Sequence, residues 1–437
     1  MKGMFDTLVK AFRLPDLRKR LIYTLIILGV YMIGGLVPVP GMDREVFSGL
    51  VQQWGQLGSM MNIIAGGGLY AATVFAMGIT PYINASIIIQ LLTVVIPYLE
   101  NLAKEGESGR KKMSKINRYS AIGLAFLQAT LFTWSTRSAL SPIMPKFLAG
   151  ALVVICFTAG TCFIVWLGER INEKGIGNGV SLIIFAGIVT RLPAMTQNLY
   201  EKAADVSGRF SNPAIGILLG VLLFIAVACI AIAIIVFVVY VQNAERRIPV
   251  QYSKKTVGRK LYGGQSSYIP IKVNQSGVMP VIFAMSILSL PSMIVTFFFA
   301  NKHGVVIDWF RNFSTSPWYY IFYFLLIIGF TFFYSLIQFN PIEISNNIQK
   351  NGGFIPGIRP GKPTTDFILK TASRLNWADG LFLSLICLVP TLAALFSGLE
   401  DVWFAGTSVL ILTGVANDLV VQIEGQLVTR NYRGFLD

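Results

Sequence analysis

A chain of 437 residues with 54% hydrophobic and only 13% charged side chains is too apolar for a soluble multidomain protein and reads as a polytopic membrane protein. Its net charge of +15 calls for no nucleic-acid partner, because topology and anionic lipid headgroups account for most of the cations. The four cysteines, Cys156, Cys162, Cys229 and Cys387, all lie inside apolar stretches. They lack metal spacing and read as packing residues, not disulfides.

Residues 1–20 predict a basic, amphipathic lead-in, with Phe5, Leu8, Phe12 and Leu17 interleaved with charge and no small-residue cleavage site before the first span. Ten apolar stretches follow, near 21–37, 71–97, 119–136, 147–168, 176–190, 213–241, 276–300, 317–339, 377–397 and 403–428. About 20 apolar residues cross a hydrocarbon core roughly 30 Å thick, and shorter stretches can borrow their flanks. The gaps between them alternate in charge. Segments 1–20, 98–118, 169–175, 242–275, 340–376 and 429–437 hold 28 of the 36 lysines and arginines, whereas 38–70, 137–146, 191–212, 301–316 and 398–402 hold 8. Every gap is short enough for the positive-inside rule, which puts both termini in the cytoplasm. The spans divide into a first half, 21–195, and a second half, 196–428, with a tail at 429–437. Five spans per half make the second half enter the membrane from the opposite side, so related halves would form an inverted repeat.

The first outer gap departs from a plain loop. Pro38-Val-Pro40-Gly41 stops the first span. The apolar stretch of about 57–71 then contains Met60, Met61, Ile63 and Ile64 and ends at Gly66-Gly67-Gly68. It is too short and too glycine-rich to span; it either dips into the membrane against protein or lies flat on the outer surface. The second span is broken by Pro81 and is polar for a lipid-facing helix, with Thr80, Asn84, Ser86 and Gln90. The seventh has the same character, opening with Asn274, Gln275 and Ser276 and containing Pro280, Ser286, Ser289 and Pro291. Two polar, proline-interrupted helices in opposite halves point to a functional interface.

The chain carries no recognisable catalytic set. Its one histidine, His303, falls in an outer gap and reads as a solvated loop residue. Asp379, at the start of the ninth span, and Asp418 and Glu424, near the cytoplasmic end of the tenth, are poorly placed for a proton relay. Gly106-Glu-Ser-Gly109-Arg-Lys-Lys lacks phosphate-loop spacing, and Gly175-Ile-Gly177-Asn-Gly179 follows a membrane helix instead of a strand. The expectation is therefore no enzyme, no cofactor and no metal, with energy supplied by a partner or a gradient.

Particular motifs then carry a resemblance. Gly78-Ile-Thr-Pro-Tyr-Ile-Asn-Ala-Ser-Ile-Ile-Ile-Gln90 is followed by Lys104-Glu-Gly-Glu-Ser-Gly-Arg-Lys-Lys112, Trp166-Leu-Gly-Glu169, Gly175-Ile-Gly-Asn-Gly179, Phe354-Ile-Pro-Gly-Ile-Arg-Pro-Gly361 and Gly406-Thr-Ser408. In this order, across nearly the whole chain, the set resembles the SecY family, the central subunits of bacterial protein-translocation channels. The resemblance implies an all-α polytopic membrane protein of ten transmembrane helices, in two inverted five-helix halves around a central pore, in the bacterial cytoplasmic membrane.

The same resemblance assigns roles. The stretch near 57–71 corresponds to the family's re-entrant plug, with Met60, Met61, Ile63, Ile64, Gly66 and Gly67. The pore ring would be Ile79, Ile83, Val180, Ile184, Ile282 and Ile411, Val180 being smaller than the isoleucine often found there. Branched aliphatic side chains make a narrow, unwetted constriction that excludes ions, yet they can fit around any peptide because dispersion demands no hydrogen-bond pattern. Spans two and seven correspond to a lateral gate, with Thr80, Asn84, Gln90, Gln128 and Asn274 as polar seam residues. Loops 242–275 and 340–376 correspond to docking sites for the ribosome or the SecA motor, through Arg246, Arg247, Lys254, Lys255, Arg259, Lys260 and Arg359. The implied partners are SecE, SecG, SecA, the ribosome, anionic lipids, and secretory and membrane proteins bearing signal sequences. A secondary transporter of small solutes is the alternative. It would need convergent charged or polar groups at mid-membrane, and the sequence offers few.

Overall fold

Each of the ten apolar stretches overlaps a helix in the computed structural model, which describes residues 9, 11–54, 58, 61–62, 65–208, 213–252, 255–257, 260–262, 266–299, 304–313, 316–397 and 406–433. In chain order the helices are α1 (Pro15–Gly34), α2 (Arg44–Gln53), α3 (Thr80–Val95), α4 (Pro97–Lys104), α5 (Glu107–Ser135), α6 (Lys146–Lys174), α7 (Gly179–Gly208), α8 (Pro213–Gln242), α9 (Met279–Phe298), α10 (Val305–Arg311), α11 (Pro317–Gln338), α12 (Pro341–Lys350), α13 (Lys362–Ser397) and α14 (Gly406–Arg433). Among the described residues seven helices are long and apolar enough to cross a membrane, or eight if α3 and α4, bent by 100°, form one broken span. The predicted spans 21–37 and 119–136 fall on α1 and α5, whose uncharged stretches, residues 21–34 and 119–135, are shorter. The protein is an all-α polytopic membrane protein.

Two expectations need correction. The second span starts at Thr80 instead of near residue 71; residues 65–79 form a series of turns. Gly66, Gly67 and Gly78 take positive φ of 63°, 88° and 56°, a region that suits glycine and breaks a helix. The turn backbone finds partners elsewhere: Val39 N–H donates to Ala72 O at 2.9 Å, and Val74 N–H to Val37 O at 3.0 Å, so no helix is required to satisfy it. Nor do Pro81 and Pro280 interrupt their helices. Each lies in the first turn, where the missing N–H has no partner to lose. Pro291 does lie inside α9.

The chain divides into two compact units, one of residues 1–206, 286–319 and 415–437, the other of residues 207–285 and 320–414. In the first, α5 packs against both α3 and α6, and its Phe132 meets Phe47, Trp54, Phe157 and Phe297 at ring-centroid distances of 5.3–5.9 Å. The Asp43 side chain caps α2 by accepting from Glu45 N–H and Val46 N–H. Of the lead-in, Ala11 and Leu17 are buried against Ile176 and Ile423, Phe12 is exposed, and Phe5 and Leu8 lie outside the described residues.

Glycines draw α6 and α7 together. A Cβ on Gly179 would collide with Gly168 O, so the Trp-Leu-Gly-Glu and Gly-Ile-Gly-Asn-Gly motifs meet backbone to backbone. Gly179→Ala is expected to cost about 1–3 kcal/mol through overpacking, read as a lower thermal-unfolding midpoint in detergent. An unchanged midpoint would mean that α6 and α7 separate without penalty.

The second unit holds a feature the charge pattern did not announce. Loop 242–275 forms strands β1 (Glu245–Tyr252), β2 (Lys255–Val257), β3 (Lys260–Tyr262) and β4 (Ser266–Lys272), and loop 340–376 adds β5 (Gly353–Phe354). The order β4-β1-β5 is antiparallel, with Ile248 opposite Ile269 and Gln251 opposite Phe354. Beneath this sheet Ile248, Val250, Ile271, Ile348, Ile355 and Ile368 form one apolar cluster, so both loops share a core.

Candidate functional site

In the first unit the expected ring residues sit where helices begin. Ile79 is the residue before α3 and Ile83 lies one turn on; they are 1% and 6% exposed. Val180 and Ile184 occupy the first two turns of α7, with Ile184 buried and Val180 half-buried. The Asn178 side chain fixes this start by accepting from Val180 N–H at 3.1 Å. In the second unit Ile282 is half-buried near the start of α9, and Ile411 is buried in α14. All six are branched aliphatics without a polar atom, the chemistry a dry constriction needs.

Of the expected plug residues, Met60, Ile63 and Ile64 lie outside the described residues, while Met61, Gly66 and Gly67 lie within them. Asn62 organises the turn: its carbonyl accepts Gly67 N–H at 2.8 Å and its side chain accepts Tyr70 N–H at 3.1 Å. Ala65 and Leu69 are buried in the cluster around Phe132, so this part of the stretch is sunk into protein instead of lying flat on it. Gly66 seats directly on α7, because a Cβ there would stand 3.0 Å from Gly187 Cα and 3.0 Å from the Tyr31 hydroxyl. Gly187 lies one turn beyond Ile184.

Among the expected gate residues, Thr80, Asn84 and Gln90 lie on α3 and Gln128 on the adjacent α5. Asn84 and Gln128 are buried, and the side-chain oxygens of Gln90 and Gln128 are buried without a hydrogen-bond partner among the described residues. Asn274 turns inward, its side chain accepting Gly277 N–H at 2.7 Å. The structure also exposes a correspondence that sequence reasoning missed. Gly78-Ile-Thr-Pro81 and Gly277-Val-Met-Pro280 have the same spacing, and both glycines are left-handed, at φ 56° and 63°. The repeated Gly-x-x-Pro was the available signal.

At the far end of α9, Phe297 meets Trp54 at 6.0 Å and Phe132 at 5.9 Å, while Ser292 Oγ donates to Phe310 O at 3.0 Å. At its near end, Phe283 packs edge-on against Phe330 and Tyr334, both at 5.9 Å.

The expected docking residues separate into different environments. Arg247 is engaged: its Nε donates to Glu245 at 2.6 Å and its guanidinium lies 4.8 Å from the centre of the Tyr268 ring. The hydrogen bond to Glu245 pushes its pKa up, the Tyr268 and Glu245 charges adding to the effect. Arg246 is exposed on β1. Lys255 and Lys260 lie on β2 and β3, while Lys254 and Arg259, like His303, lie outside the described residues. Arg359 is exposed on a fixed turn: Gly357 and Gly361 take φ of 82° and 97°, Thr364 Oγ1 donates to Arg359 O at 2.9 Å, and Ser345 Oγ donates to Gly361 O at 3.1 Å. Between α5 and α6, Arg118 pairs with Glu169 at 3.0 Å, and that bond raises the arginine's pKa.

The SecY family model matches residues 73–420. The chain is 43% identical over 452 residues to "Protein translocase subunit SecY" of Streptomyces galbus, covering 99% of this chain and 100% of that one. It is 41% identical over 459 residues to the protein of the same description from Mycobacterium bovis, again covering 99% and 100%. Among solved structures it is similar to one described as "The structure of a protein conducting channel", at TM-score 0.61 and 20% identity, covering 94% of this chain and 93% of that one. It is also similar to Sec61 in the canine ribosome-channel complex, at TM-score 0.57 and 18% identity, with the same coverage.

Proposed function

Since the chain belongs to the SecY family and is a protein-conducting channel, we propose that unfolded secretory polypeptides cross the membrane past the ring of Ile79, Ile83, Val180, Ile184, Ile282 and Ile411. The observation that carries this reading is the family match over residues 73–420, which includes all six positions. The aliphatic chemistry of the six supports it, and so does the seat of Gly66 on α7 one turn from Ile184. In this reading the stretch at 57–71 is the plug, and α3 and α9 are the lateral gate that a signal sequence or membrane segment parts. Their matching Gly-x-x-Pro starts suit equivalent roles in two inverted halves.

The sheet of β1, β4 and β5 is the platform for a ribosome or for SecA, with Arg246 and Arg359 presented outward and energy supplied by that partner. The canine relative is described in a ribosome complex, which supports the ribosome as one occupant. SecE, SecG and anionic lipids complete the expected surroundings. The basic gaps argue for a cytoplasmic membrane with both termini inside the cell. The relatives are translocase channel subunits, and a non-enzymatic role for this chain follows that pattern. A solute transporter draws no support from these relatives.

The test is a cross-link between a stalled secretory chain and a photoreactive residue at position 282. A substrate-dependent adduct that vanishes when the signal sequence is deleted is the expected result. Absence of an adduct at 282 and at 83, while the precursor still inserts, would remove the pore assignment.

A further inference from the structure

The turn that precedes α9 is surrounded by buried polar side chains of the second unit that none of the roles above uses. Asp379 is fully buried on α13 and accepts the Ser276 hydroxyl on Oδ2 at 2.6 Å, while its Oδ1, like the other unpartnered atoms named below, has no hydrogen-bond partner among the described residues. Asn376, buried with its Oδ1 also unpartnered, lies one turn earlier on the same side of the helix. Gln275 accepts the Ser335 hydroxyl on Oε1 at 3.2 Å and leaves Nε2 unpartnered. Gln242, the last residue of α8, is buried with both amide atoms unpartnered, and its Nε2 and the Val278 side chain both border Gly414 of α14. Asn274 and Gly277 close the turn from within, so Gln275 and Ser276 make its side-chain bonds to neighbouring helices.

A buried carboxyl is costly unless hydrogen-bonded, and the Ser276 bond is short and of the stronger kind. The unpartnered atoms around it gain partners only when water reaches them. The start of α9 is thus held by a bond set in a pocket that hydration stabilises once the turn moves. An apolar junction would hold the turn without favouring its release.

We infer that the Ser276–Asp379 bond is a latch on α9, with Asp379 the positioning residue that sets how strong a signal sequence must be to move the helix. The inference rests on the reading of α9 as a gate helix. It makes Asp379 a determinant of substrate specificity, because the latch fixes the threshold that separates accepted from rejected signals.

The test uses the full translocase, with one precursor carrying an intact signal and one carrying a signal weakened by a polar substitution. Ser276→Ala and Asp379→Ala are each expected to raise export of the weak-signal precursor about tenfold, the factor that corresponds to about 1.4 kcal/mol. The double variant is expected to add nothing to the larger single effect, because one bond is lost only once. Asp379→Asn keeps an oxygen that can accept from Ser276 but loses the charge that strengthens the bond, and is expected to fall between the parent and Asp379→Ala. Unchanged weak-signal export in both alanine variants, at parental abundance, overturns the latch. So does an Asp379→Asn variant that behaves like Asp379→Ala, or a loss of intact-signal export without a gain for the weak signal. Ser276→Ala removes a single oxygen and keeps the test decisive if Asp379→Ala fails to accumulate. The gate reading is scored separately by photoreactive residues on α3 and α9: signal adducts there with inert alanine variants reject the latch alone, whereas missing adducts reject the gate.

Discussion

Leucine in place of Gly187 is expected to make reconstituted vesicles leak ions. Gly66 and Gly187 approach so closely that a Cβ on Gly187 would stand 3.2 Å from Gly66 Cα and 3.2 Å from the Tyr31 hydroxyl. The left-handed backbone at Gly66, φ 63°, leaves the turn little room to yield. Overpacking of about 1–3 kcal/mol in the seated state raises the unseated fraction by about fivefold or more. Ion conductance in planar bilayers reads that fraction directly. Ile184→Gly, one turn away, should leak by a different route, since in the proposed pore it widens the aliphatic ring and leaves the seat intact. Gly187→Leu channels as tight as the parent would show that the turn at Gly66 does not contribute to the seal.

Arg359→Glu is expected to abolish most motor-driven export while leaving the protein folded. The arginine is exposed at the tip of a turn whose shape is set by Thr364, Ser345 and two left-handed glycines, none of which involves its side chain. Reversing the charge therefore changes what a partner meets without disturbing the loop. Unlike Arg247, which Glu245 and Tyr268 already engage, Arg359 belongs to no ion pair among the described residues. A like-charge contact with an acidic partner surface costs about 2 kcal/mol or more, roughly thirtyfold in affinity. Motor binding to channels in lipid nanodiscs, measured beside precursor export, checks it. Normal binding and export at parental expression would dismiss the docking role.

The helical plan was legible because lipid imposes a coarse rule: long apolar stretches with charge confined to alternate gaps. Finer features escaped for identifiable reasons. Residues 65–79 are as apolar as a span, and only the glycines at 66, 67, 68 and 78 hinted that turns buried in protein replace a helix there. The β1 strand offered a weak signal in Ile248, Val250 and Tyr252, an alternation easily lost beside Arg246 and Arg247. The proposed ring positions had no signal of their own, since an isoleucine is chemically the same whether it lines a pore or meets lipid, and only the family resemblance pointed to them. From the sequence, Asp379 is a residue at the edge of a span, poorly placed for proton transfer. Its burial against Ser276 could not be seen because that partner is 103 residues away.

That separation also has a consequence for biosynthesis. Helix α9 has neighbours from both ends of the chain: Phe297 packs on Trp54 and Phe132, made long before it, whereas Ser276 and Gln275 wait for Asp379 and Ser335. At a synthesis rate of about 5–20 residues per second, the 103 residues to Asp379 take roughly 5–20 s. Until Phe330, Tyr334 and Ser335 are made, the nascent α9 can be anchored at its later-made end only, and the Ser276 hydroxyl stays without its carboxylate until Asp379 follows. The junction that fixes the start of the helix is therefore among the last contacts the growing protein can complete.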